Sequence, residues 1–233
     1  MRKIFVFICL IFWSNLTFGQ LINDESYKDK SFWEFKTELE YCIVKKDLNK
    51  LRSFLASGIL VAKDACSQPE CSKDEFMQYI FGDGGDNEAA WNELLSVVRL
   101  GFFKTQKRDL FYTLKKSEAG YFAAPSYLNK INTDKEVIIL GENANIRQKP
   151  SLKAKVLRMV SYEKFKCDCN ILDNKPTTIQ NVDGIQWLEI KLPNGETGYV
   201  SLDLTSYKIE KEMTIGKING KWKILSYYTA PGC

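Results

Sequence analysis

Histidine does not occur anywhere in the 233 residues of this chain. Without an imidazole, Ser-His-Asp and Cys-His nucleophilic catalysis lose their general base. The glycine signatures of dinucleotide-binding and P-loop folds are missing as well. Charge is nearly balanced, with 33 basic and 29 acidic residues, and the lysines are scattered. That balance argues against nucleic acid as the main partner, since such binding needs a concentrated basic surface. Long hydrophobic runs are equally scarce. The one that stands out, Ile4 to Trp13, is too short to span a bilayer.

What that run fits is an export signal. Arg2 and Lys3 precede it, and Thr17 and Gly19 put small residues at minus three and minus one of a cut before Gln20. Cys9 sits inside the run rather than after it, which excludes a lipoprotein signal. Residues 1–19 are therefore expected to be a signal peptide, and the mature protein to be soluble, periplasmic or secreted. Removing Arg2 and Lys3 leaves 31 basic against 29 acidic residues, so the mature chain stays close to neutral.

Six cysteines remain: Cys42, Cys66, Cys71, Cys167, Cys169 and Cys233. An even number in an exported chain suggests disulfides, with fifteen possible connectivities. Cys66 and Cys71 enclose a short local loop and are the expected pair. Zinc on Cys66, Cys71, Cys167 and Cys169 is the rival, but those spacings match no common structural zinc site. No metal or other cofactor is expected.

Residues 20–133 read as a helical or α+β domain. Ser31 with Glu34 forms a capping-box pattern ahead of Phe32, Phe35, Leu39, Cys42 and Ile43. Asp47 reads as a second N-cap for Leu48, Leu51, Phe54 and Leu55, with Gly58 at the stop position. Ser72 and Glu75 repeat the box for a helix ended by Gly82. A fourth helix is expected from Asn87 to Leu100, closed by Gly101. Phe111, Tyr112, Tyr121 and Phe122 suggest one or two strands before Ala124-Pro125. The glycine-rich stretch from Gly82 to Glu88 lacks the ligand spacing of a calcium loop and reads as a connector.

Residues 134–205 have a different texture. Val137 to Leu140 is a β-branched run ended by Gly141, and Trp187 to Leu192 alternates with period two. Pro193-Asn194-Gly195 is a hairpin signal. Asn145-Ile146-Arg147-Gln148-Lys149-Pro150-Ser151, the later Trp187-Leu188-Glu189-Ile190 and then Gly195-Glu196-Thr197-Gly198-Tyr199-Val200 agree in order and spacing with one family. This segment resembles the bacterial SH3-like (SH3b) domain, a small β-barrel. Asp168 to Gly184 departs from the family pattern and reads as an enlarged loop.

Residues 206–233 read as two strands joined at Asn219-Gly220. With Asn219-Gly220-Lys221-Trp222-Lys223 they resemble the closing hairpin of NTF2-like domains, and the opening helices carry a weaker likeness. Two topologies follow: the barrel is inserted between the helices and this hairpin, or the hairpin extends the barrel. The expected class is α+β in either case.

The SH3b resemblance implies a non-enzymatic binding module that recognises a cell-wall peptide or an envelope protein. Histidine-dependent cell-wall peptidases, frequent companions of such modules, are excluded by composition. Arg147, Lys149 and Tyr162 fall in or beside turns that would line a groove, and they are the candidate ligand contacts. Arg147 could equally bond the backbone of its own turn. Trp187 and Tyr199 lie in the motif strands and are expected to pack. No catalytic residue is assigned. A hydrolase built on two carboxylates, drawn from acids such as Glu38, Glu40, Asp74 and Glu75, is the rival reading, and a regulatory or inhibitory partner is a third.

Overall fold

The computed structural model describes residues 21–61, 70–82, 87–106, 116–132, 135–168, 179–208 and 211–229. The signal segment, Cys66, Phe111, Tyr112, Cys169, Asn174, Pro176, Cys233 and residues 83–86 lie outside them. The described residues form four α-helices and twelve strands: α1 (Lys30–Val44), α2 (Leu48–Phe54), β1 (Leu55–Leu60), α3 (Lys73–Phe81), α4 (Glu88–Arg99), β2 (Phe103–Thr105), β3 (Tyr121–Ala124), β4 (Glu136–Ile138), β5 (Ala144–Arg147), β6 (Val156–Val160), β7 (Lys164–Lys166), β8 (Ile179–Val182), β9 (Ile185–Lys191), β10 (Thr197–Ser201), β11 (Lys211–Ile218) and β12 (Lys221–Thr229). The class is α+β.

Local chemistry sets most helix ends. Ser72 and Glu75 form the reciprocal capping box of α3, and Gly82 ends that helix with φ +69°. Asn87 caps α4 through Ala90 N–H, and Gly101 follows at φ +76°. Asp47 caps α2 through Lys50 N–H. Two expectations need correction. Asp29, not Ser31, caps α1, accepting Phe32 N–H at 3.1 Å. Ser31 instead donates to Asp29 and accepts the Trp222 indole N–H at 2.9 Å. Gly58 stops nothing: Leu55 is already extended, and Gly58 lies within β1.

The first sheet has the order β1-β12-β11-β3-β2, and only β1 and β12 run parallel in it. The closing hairpin therefore fills the middle of the helix-covered sheet, and β4 to β10 are inserted between β3 and β11. Aromatic residues dominate the core under the helices. Phe32 stacks on Phe122 with centroids 3.7 Å apart, and Trp222 meets Phe32 edge-on at 5.1 Å. The Trp222–Ser31–Asp29 chain thus joins the last hairpin to the first helix cap. Asn219 and Gly220 both take positive φ, as a two-residue hairpin of matching twist requires.

The second sheet is a curled half-barrel with the order β4-β7-β9-β10-β5-β6. On the far side of β9, β8 pairs with Ile185–Leu188 and β7 with Lys191. Within the expected Asp168–Gly184 loop, Ile179–Val182 is therefore strand. Asp183 and Gly184, both at positive φ, turn β8 directly into β9. Val137, Ile146, Phe165, Leu188, Ile190 and Val200 fill the barrel interior. Gly198 is required by closeness: a Cβ there would lie 2.4 Å from Ile146 Cγ2. Entry and exit meet, because Leu140 N–H donates to Leu204 and Ile139 bridges Thr205. No helix among the described residues is long and apolar enough to cross a membrane.

Candidate functional site

The β5–β6 hairpin carries Arg147 and Lys149, and Tyr162 follows it, so the three expected contact residues are not gathered. Arg147 pairs with Tyr199 on one side and Val156 on the other. Its Nη1 donates to the Ala154 carbonyl at 2.9 Å, so the guanidinium fastens the 148–155 turn. Lys149 is exposed on that turn. Tyr162 lies beyond the opposite end of the hairpin, at φ +51°. Its hydroxyl is 3.5 Å from Glu142 Oε1, the outer limit of a hydrogen bond.

A β-bulge shapes β6. Val156 faces Arg147 and Arg158 faces Ile146, which leaves Leu157 as the extra residue. The bulge puts Val156 and Met159 on the same outward face, opposite Arg147 and Asn145. Both are exposed, Met159 by 62%, and Leu152 on the turn is exposed by 63%. Arg158 takes the inner side, paired with Glu163 at 2.9 Å and over the Phe165 ring. Curling of the sheet brings residues 155–158 opposite Leu192, Pro193, Asn194 and Glu196 of the β9–β10 hairpin. Between them lies a groove of about 450 Å³. The order of residues in β6 hid this site: strict period-two alternation would put Leu157, not Val156, on the face of Met159. The bulge overrides that reading.

The outward face of β9 and β10 is polar around one aromatic. Tyr199 Oη donates to Glu189 Oε2 at 3.2 Å, and Lys191 Nζ bonds Glu189 and Thr197. Burial and the Glu189 carboxylate push the Tyr199 phenol above its ordinary value. Trp187 shares the strand face of Glu189 yet is only 2% exposed, so that strand is covered on both sides there.

The acids offered for a hydrolase have other bonds. Glu38 pairs with Lys50, Glu40 with Arg99 and Asp74 with Arg52, while Glu75 completes the α3 cap. Among the described residues no group of three or more acids and cysteines is placed to hold a metal. Cys42 is a free, buried thiol, pushed up to about 12 by burial and by Asp47. Cys71 and Cys167 are each disulfide-bonded. Comparison with protein-family models, with curated proteins and with solved structures finds no match.

Proposed function

We propose that this chain is an exported, non-enzymatic binding protein whose SH3-like barrel recognises a cell-wall or protein ligand, and whose helix-covered domain carries the barrel. The groove between β6 and the β9–β10 hairpin, with exposed Val156 in its lining and Leu152 and Met159 exposed on the same β5–β6 hairpin, is the observation that carries this reading. Exposed apolar side chains grouped beside a concavity mark contact surfaces more often than solvent faces. Export rests on the leading basic residues and apolar run, and the expected Cys66–Cys71 disulfide would suit that compartment.

The absence of histidine and the engagement of Glu38, Glu40, Asp74 and Glu75 in ion pairs and a cap weigh against the hydrolase reading. Sedimentation of the full chain with purified peptidoglycan, and separately with detergent-extracted envelope proteins, tests the proposal. Retention without release of soluble fragments is expected. Fragment release would favour the hydrolase, and no retention in either arm would end the binding reading.

A further inference from the structure

Strand β6 ends its sheet. One edge pairs with β5, and no strand pairs with the other among the described residues. An unpaired edge presents alternate N–H and C=O groups to any extended chain, and natural proteins usually guard such edges with charge. Here the side chains of the strand itself are apolar where they face out, at Val156 and Met159. The charge stands on the turn that leads into it. Lys149, Lys153 and Lys155 are exposed, and none of them is in an ion pair among the described residues.

We propose that the β6 edge accepts an extended segment of a partner protein as an added strand. The segment would alternate apolar residues and carry carboxylates where it passes the 148–155 turn. This rests on the binding reading above and names its ligand class. Backbone hydrogen bonds to β6 supply the sequence-independent part of recognition. The apolar walls at Leu157, Leu192 and Pro193 accept alternate side chains on one face, while Val156 and Met159 cover those on the other. Three uncompensated lysines make the acidic end of the segment the matching one, and fix its direction.

The test uses the full chain and a blocked peptide of alternating valine and threonine ending in two aspartates. Peptide-induced shifts of backbone amide resonances are expected at residues 155–160 and in the hairpin at 192–196. Joint Lys149→Glu, Lys153→Glu and Lys155→Glu substitution should weaken the peptide by about tenfold. A peptide ending in two lysines should bind the parent chain less tightly and the triple variant more tightly. Met159→Lys, at an exposed position where the fold should survive, should also weaken binding, with unchanged amide dispersion as the check.

Shifts elsewhere, or none at millimolar peptide, would overturn the proposal. A concentration-dependent dimer abolished by Met159→Lys, with no peptide effect, would assign the edge to a second copy instead. If peptidoglycan or an envelope protein binds with these variants as with the parent, the binding reading stands and the β6 assignment falls. Loss of all binding to both materials by the parent chain removes the reading itself.

Discussion

Arg147 on β5 and Trp187 on β9 stand on either side of β10 in the barrel sheet and answer to different forces. Trp187 is buried, and its truncation would leave a large void, so Trp187→Ala is expected to cost about 3–5 kcal/mol. Arg147 is half exposed and makes one charge-assisted bond to Ala154, so Arg147→Ala should cost roughly 1–2 kcal/mol. Urea unfolding of the two variants checks the order. An Arg147→Ala protein as stable as its parent would free the guanidinium for a ligand and undo the turn-fastening role described above. Glycine at 198 belongs to the same scale: its demand comes from the 2.4 Å approach of Ile146, not from an unusual dihedral.

The elements hold together through clips at their ends. Ahead of α1, Asp24 accepts from Phe102 and Ser26 backbone N–H groups and from Lys36, and Glu25 accepts from Lys28 and from Lys104 N–H. Burial pushes the Asp24 carboxyl up, but those bonds outweigh it and hold it below its ordinary value. Glu25 is lowered chiefly by Lys28 and the Lys104 N–H. A carboxylate depressed in the folded state contributes stability above its unfolded pKa and loses that contribution as pH falls through the folded value. Stability should therefore decline below about pH 4, and Asp24→Asn should flatten that decline while lowering stability near neutrality. Urea midpoints measured across that range give the comparison; equal acid slopes would remove Asp24 from the account.

Element ends were also the most legible part of the sequence. Asp47 and Ser72 were readable as caps because a cap is chemistry within four residues. Ser31 misled because Asp29, two residues earlier, offers a charged acceptor and leaves the serine hydroxyl for Trp222. Asp183-Gly184 carried a hairpin signal that the surrounding polar residues masked. Arg147 and Tyr162 were both near turns, yet which end of a hairpin each occupies depends on pairing register, and no local pattern encodes it. The groove was illegible for the same reason: residues 155–158 and 192–196 meet only once the sheet curls.

At the scale of the molecule, the barrel is an insertion whose two connections lie side by side, as the Leu140–Leu204 and Ile138–Ser206 bonds require. Replacing residues 135–205 by a short linker should leave the helix-covered sheet folded, with cooperative thermal unfolding and the near-ultraviolet signal of its stacked aromatics. An excised chain without cooperative unfolding would mean that the barrel supports its host.

The parallel pairing of β1 with β12 has a further consequence for how the protein is made. Leu55 meets Ile224 across most of the chain. As the polypeptide leaves the ribosome, the helices and β1 emerge early, and the strand that β1 lies against is among the late arrivals. Contacts this distant form slowly, because closure entropy must be spent before they stabilise anything. The barrel, whose strands are all local to residues 136–201, has no such wait and should be complete before its host. A chain interrupted during synthesis would then present a finished barrel on an unfinished domain, with β1 lacking β12 and β3 paired to β2 but still lacking β11.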